Sequence, residues 1–168
     1  MKIFRKIISC LLLFLAFQTA FSQSDSIPIY KQHPTVPDFK LMKADSSFFM
    51  MKDMVKKKHP TVVIIFSPTC GHCQHQAEEI TSHMKDLQDI NFIFSTLYPV
   101  QEMKTYISDY GLDKFSNITV GHDKGYILGS FYTINSLPGV FVYDKKGQLV
   151  REFGTNVKAE ALLEALKQ

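Results

Sequence analysis

Residues Thr61-Val62-Val63-Ile64-Ile65-Phe66 form an unbroken run of β-branched and aromatic side chains. A run with no polar alternation is the pattern of a strand covered on both faces. It stops at Ser67-Pro68, and a different period takes over at once. Cys73, Ala77, Ile80, Met84 and Leu87 recur at steps of four, three, four and three, which lines them along one face of a helix beginning near Cys70. A buried strand that turns directly into an amphipathic helix confines the chain to an α/β architecture.

The same alternation continues downstream. Asn91 to Leu97 is a second buried strand, and Val100, Met103, Ile107 and Tyr110 form a second helical stripe closed by Gly111 as the C-cap glycine. Strand, helix, strand, helix predicts a parallel pair with a right-handed crossover. Ile118-Thr119-Val120 reads as a short strand and Gly125 to Tyr132 as a short helix. Val140 to Tyr143 and Gln148 to Phe153 are strands joined by the turn Asp144-Lys145-Lys146-Gly147. A last helix spans about Val157 to Lys167, with Asn156 as its N-cap. Ahead of the first long strand, Phe39 and Leu41 alternate as a short strand, and Phe48 to Val55 is a short amphipathic segment. The expected sheet is mixed, parallel in the middle and antiparallel at its last strands.

The cysteines fall where helix physics makes them reactive. Cys70 stands at the helix N-terminus, where unpaired N–H groups and the positive end of the dipole favour thiolate over thiol. The spacing Cys70-Gly71-His72-Cys73 brings the second sulfur within disulfide reach across one turn. Cys70 is thus the expected nucleophile and Cys73 the resolving thiol. His72 adds a donor or partial positive charge beside Cys70, and Gly71 gives the turn room. A closed zinc site would need four ligands, and with no second Cys pair the chain offers only His59, His72, His75 and His83 nearby. Covalent haem attachment needs His directly after the second cysteine, and position 74 is Gln. No metal and no cofactor is therefore expected.

The N-terminus bears on where such thiols work. Lys2, Arg5 and Lys6 precede an apolar run from Ile7 to Phe17 and the small-residue stretch Ala20-Phe21-Ser22, the layout of a secretory signal peptide over residues 1–22. The run is shorter than the roughly 20 apolar residues that cross a bilayer. Cleavage leaves no stable membrane span, the alternative being an uncleaved N-terminal anchor. Cys10 departs with the signal; the apolar run follows it instead of preceding it, unlike a lipoprotein box. Residues 23–37, punctuated by Pro28, Pro34 and Pro37, read as a linker or extended lead-in, leaving one domain over 38–168. The chain has 19 Lys+Arg against 16 Asp+Glu. The excess is the three N-terminal cations, so neither a nucleic-acid footprint nor a polybasic membrane patch remains.

The strand Val62 to Phe66, the sequence Ser67-Pro68-Thr69-Cys70-Gly71-His72-Cys73 opening a helix, and the later Ser136-Leu137-Pro138-Gly139-Val140-Phe141-Val142-Tyr143-Asp144 resemble the thioredoxin fold. The lead-in Pro37-Asp38-Phe39-Lys40-Leu41 and an insertion between the second helix and Pro138 are similar to the exported TlpA/ResA-type thioredoxin-like proteins of bacteria. The resemblance covers about residues 34 to 168. It implies a central mixed sheet flanked by helices, with an N-terminal extension and an insertion before the cis-proline strand. It further implies a thiol:disulfide oxidoreductase of the bacterial periplasm, with Thr69, Gly71 and His72 supporting the cysteines. Pro138 is then a cis-proline against the cysteine pair, and the Leu137 backbone pairs with an extended substrate segment; the residues alone favour an ordinary trans proline starting an edge strand. The implied partners are substrate proteins with thiols or disulfides and a redox partner that recycles the site.

Two departures from that family stand out. The dipeptide between the cysteines is Gly-His, as in protein disulfide isomerases, where strongly reducing thioredoxins carry Gly-Pro. The buried Asp six residues before the first cysteine is here Ile64, and the nearest acids, Glu78 and Glu79, read as a solvated helix face. Two other functions share these sulfurs. Peroxiredoxin-like thiol peroxidases share the fold and the Pro-Asp-Phe lead-in, but their Pro-x-x-x-Thr/Ser-x-x-Cys pattern does not fit Pro68 and Thr69. A non-catalytic metal-delivery module would favour a Cys-x-x-x-Cys spacing.

Overall fold

The computed structural model describes residues 27–55 and 58–167. The signal peptide expected at residues 1–22 and the first part of the lead-in lie outside them. A single turn of helix, α1 (Ile29–Gln32), precedes the short strands β1 (Lys40–Met42) and β2 (Phe48–Met50), and α2 (Met51–Met54) follows directly. The segment Phe48 to Val55 is thus a strand and a helical turn in succession. The remainder alternates: β3 (Thr61–Ile65), α3 (Gly71–Ser82), α4 (Met84–Leu87), β4 (Asn91–Thr96), α5 (Val100–Asp109), a 3₁₀ turn at Leu112–Lys114, β5 (Ile118–His122), α6 (Ile127–Tyr132), β6 (Gly139–Tyr143), β7 (Leu149–Phe153) and α7 (Ala159–Ala165).

All seven strands join one sheet in the order β2-β1-β5-β4-β3-β6-β7. β3 pairs in parallel with β4 and β4 with β5, whereas β6 runs antiparallel to β3 and β7 antiparallel to β6. β3 is an inner strand, paired on both sides and covered on both faces, which explains its composition. Val62, Val63 and Ile64 expose nothing, and alternate residues enter opposite cores. Val62, Ile64 and Phe66 pack with Cys73, Ala77 and Ile80 of α3, Met103 and Tyr106 of α5 and Leu162 of α7. Val63 and Ile65 pack on the other face with Tyr30, Leu128, Phe131 and Tyr132. Burial of each such aliphatic side chain contributes about 1.5–3 kcal/mol, which is why this strand anchors the site that follows it.

Four sequence expectations are revised. The residues read as a linker or extended lead-in are anchored to the domain at points: Tyr30 and Val36 are buried, and Pro34 and Val36 hydrogen-bond to Leu149 and Gly147 at the β6–β7 turn. The long helical face from Cys73 to Leu87 is carried by two helices, broken at His83. There Thr81, Ser82 and His83 side chains engage the carbonyls of Ala77, Glu78 and Glu79, competing with the helix for its acceptors. In α5 the buried stripe is rotated: Met103 and Tyr106 face the core, while Val100, Ile107 and Tyr110 lie at its margin. Gly111 does close α5, with φ +61, a conformation glycine adopts without steric cost. Finally, Asn156 is not the N-cap of α7. The helix starts at Ala159 behind Lys158; a side chain of α3 takes the Ala159 N–H, and another takes that of Val157 just ahead of the helix.

Candidate active site

The C-terminal end of β3 delivers the chain into a tight turn. The Ser67 carbonyl accepts the Cys70 N–H at 3.2 Å, the Ser67 and Thr69 hydroxyls pair at 3.1 Å, and Gln74 reaches back from α3 to the Pro68 carbonyl at 3.0 Å. Cys70 occupies the N-cap position with extended backbone, and Gly71 is the first helical residue. This puts the first sulfur at the helix end, partly exposed. Cys73, one turn inside, exposes nothing. Both are free thiols. Their environments separate their chemistry: burial pushes the Cys73 thiol up to about 12, reinforced by a hydrogen bond with Cys70 and opposed by the Ser67 backbone.

The loop before β6 closes over this pair. The Leu137–Pro138 peptide bond is cis, the geometry that the resemblance implied. Pro138 is buried, and Leu137 presents its carbonyl 3.8 Å from the Cys70 sulfur. Cys70, Cys73, Thr69, Leu137 and Pro138 therefore converge at one end of the sheet. Gly71 and His72 sit on the exposed rim. His72 makes no hydrogen bond to any described residue, so the expected donor contact with Cys70 is absent here. A Cβ at Gly71 would meet nothing within 4 Å. The glycine is thus not needed for room in the turn, and the space at its position is open.

Three residues that sequence reasoning missed hold this arrangement in place. Tyr106 of α5 is buried and donates its hydroxyl hydrogen to the Cys73 carbonyl at 2.6 Å, while its ring stacks on Phe66 with centroids 4.4 Å apart. Burial and the neighbouring sulfurs raise the Tyr106 phenol far above its ordinary value, so it remains a donor. Gln76 is wholly buried. Its Oε1 accepts the Val157 N–H at 2.7 Å and its Nε2 donates to the Val157 carbonyl at 3.1 Å. Glu79 accepts the Ala159 N–H at 3.0 Å and lies 3.6 Å from Lys158. That backbone hydrogen bond, then Lys158 and His83, hold its carboxyl below the ordinary carboxylate range. Glu79 is therefore a cap for α7 rather than part of a solvated face. One signal was available in the sequence: Gln76 lies between Cys73 and Ala77, on the side of the helix that its own periodicity assigns to the core.

Among the described residues, no three His, Cys, Asp or Glu side chains gather as a metal site, and no helix is long and apolar enough to cross a membrane. The arrangement supports two-sulfur chemistry: an accessible thiol, a sealed partner in contact with it, and a carbonyl edge alongside.

A family model described as the AhpC/TSA family matches residues 33–152. No curated protein matches the sequence. Among solved structures, Mycobacterium tuberculosis dsbF superposes with a TM-score of 0.66 at 18% identity, over 79% of this chain and 98% of that one. Peroxidoxin BcpB of the same organism gives 0.65 at 14% identity, over 79% and 94%. A secreted M. tuberculosis disulfide oxidoreductase homologous to E. coli DsbE gives 0.62 at 17% identity, over 76% and 94%. The shared architecture is the thioredoxin-like fold, a mixed sheet flanked by helices.

Proposed function

The chain belongs to the AhpC/TSA family, and from that premise we propose that it is an exported thiol:disulfide oxidoreductase acting on substrate proteins through Cys70 and Cys73. The observation that carries this reading is the pairing of a partly exposed Cys70 at a helix head with a sealed Cys73 behind it. The chemistry in the reducing direction is balanced by these two groups alone. The Cys70 thiolate attacks one sulfur of a substrate disulfide, an S–S bond forms to Cys70, and the other substrate sulfur leaves as a thiolate that takes up a proton. Cys73 then loses its proton and attacks the Cys70 sulfur. The substrate's second sulfur leaves, and two electrons have passed to the substrate as the Cys70–Cys73 disulfide forms. A dithiol partner recharges the site by the same exchange.

The buried, raised Cys73 thiol suits the second role. It does not compete for substrate, and it becomes reactive against a sulfur already in contact with it. The Leu137 edge beside Cys70 is the surface on which an extended substrate segment would lie, with Pro138 shaping it. Thr69, Gly71 and His72 frame the opening. Export rests on the signal-like residues 1–22, with 38–168 as the working domain. The name of the secreted disulfide oxidoreductase similar in fold agrees with that location. Substituting Cys70→Ser should lower exchange with a small disulfide by at least about 10³-fold, the scale of losing a covalent nucleophile. Cys73→Ala should instead accumulate mixed disulfides on Cys70, visible on non-reducing gels. Full activity in the Cys70 variant would end the proposal.

A second reading is favoured by the likeness to peroxidoxin BcpB. A Cys70 thiolate attacking a hydroperoxide would release an alcohol and leave a sulfenic acid, which Cys73 would condense with, releasing water. Stopped-flow peroxide consumption by the reduced protein separates the two: rapid stoichiometric oxidation by peroxide selects the peroxidase, and slow oxidation by peroxide alongside fast oxidation by disulfides selects the oxidoreductase.

A further inference from the structure

A cleft of about 190 Å³ opens between the Pro68-Thr69 turn and α5. One wall is the start of the site, Pro68, Thr69 and Gln74; the other is α5 with its C-cap, through Glu102, Thr105, Tyr106, Asp109 and Tyr110. These five recur at steps of three, one, three and one, so they form one stripe of that helix. Lys104, the only cation of α5, projects from its opposite side by the same 100° arithmetic. Thr69 immediately precedes the reactive cysteine, so one lip of the cleft is continuous with the reacting centre.

The lining has a definite chemistry. The half-buried Tyr110 ring, held with its centroid 4.7 Å from that of the buried Tyr106, gives the cleft an aromatic wall. Two carboxylates, Glu102 and Asp109, line it as well, and neither is paired with a cation among the described residues. Tyr110 senses this field. Its phenol is raised first by burial and then by the charges of Glu78 and Asp109. Aromatic faces flanked by unpaired carboxylates attract a cation by ring quadrupole and by charge together. The attraction is local: with Lys2, Arg5 and Lys6 set aside, the cations and anions of the chain balance, so no global field accounts for a preference.

We propose that this cleft receives a lysine or arginine side chain of the substrate polypeptide, close in sequence to its reacting cysteine, and so selects substrates carrying a basic residue there. This rests on the thiol-exchange reading above. It also gives Tyr106 a double position, as wall of the cleft and as hydrogen-bond partner of the Cys73 carbonyl.

The test uses reduced full-length protein and a set of quenched fluorescent peptide disulfides identical except for one Lys, Gln or Glu, moved across the positions flanking the cysteine. At low salt, the second-order rate constant for the single-turnover reaction of the reduced protein with the best Lys peptide should exceed that for its Gln counterpart by about fivefold, the scale of an exposed ion pair with a cation–π contact. The ratio should fall toward one in E102Q/D109N and persist in E164Q, a charge change on α7. A ratio near one in the unmodified protein, or one that survives in E102Q/D109N, overturns the proposal. Hydroxyethyl disulfide, which has no charge, separates the two claims: if the reduced protein fails to turn it over, the exchange reading fails. The cleft is then decided by NMR with Ser-for-Cys peptides. Shifts at Glu102 and Tyr110 with the Lys peptide and none with the Glu peptide support it, and no shift with either rejects it.

Discussion

The first turn of α3 and the turn behind it are one helix in two environments. At the head, Cys70, Gly71 and His72 face outward with few contacts, and the space over Gly71 is empty. A turn further in, Cys73, Gln76, Ala77 and Ile80 expose nothing, and their backbone or side chains are tied to α5 and to the start of α7. The contrast teaches a division of labour. The sulfur proposed to react is positioned from behind, by groups of which only Tyr106 also borders the neighbouring cleft, so the surface over it can stay bare for a polypeptide to approach. Precision at the exposed end is inherited from hydrogen bonds at the buried end.

Loosening the inner turn should therefore cost most. Gln76→Ala removes both hydrogen bonds to Val157 and leaves a buried N–H without its partner, at a cost of about 2–4 kcal/mol. Denaturant midpoints would register it; a loss under about 1 kcal/mol would mean that water replaces the amide. The second effect is a pH slope. Below pH 9 the Cys73 thiol is protonated in both folded and unfolded protein, so its burial is fully accommodated. Between 9 and about 12 the unfolded chain loses that proton and the folded one keeps it, so stability falls as pH rises. The reduced protein should lose up to about 1.4 kcal/mol more per pH unit than Cys73→Ala over this window. Equal slopes would show that the sulfur is not sealed.

Smaller effects sharpen the same contrast. Tyr106→Phe deletes one hydrogen bond and keeps the stack on Phe66, and thermal unfolding should report a loss of about 1 kcal/mol. Gly71→Ala, at the bare end, should be neutral or stabilising by up to about 0.5 kcal/mol, because the site is open and alanine is the better helix former. A clear loss of stability there would show that the outer turn is as tightly determined as the inner one.

What the sequence disclosed follows the same line. β3 was legible because an inner strand with two covered faces leaves no polar position to confuse the pattern. The two sulfurs were legible because their spacing and their place at a helix head are local. Tyr106, Gln76 and Glu79 were not, since each acts on a partner far along the chain: 33 residues away for Tyr106 and 81 for Gln76. Periodicity assigns a residue to a face and does not name what stands opposite. The same limit explains α7. Asn156 has the right chemistry for an N-cap, but Glu79 already holds the Ala159 N–H it would have served, and Gln76 fixes the backbone of Val157 beside it. Around residues 27–37 the prolines suggested an unattached segment, because the aromatic Tyr30 and the single Val36 are too sparse to show a period.

That borrowed cap sets an order of assembly. The closing helix has seven residues, too short to persist alone in water, and its first amide and that of Val157 ahead of it are bound by side chains that are aligned only after α3 has wound. Ordering of this helix must therefore trail that of α3, and hydrogen exchange at Val157 and Ala159 would serve as a gauge of whether the rest of the molecule has finished folding.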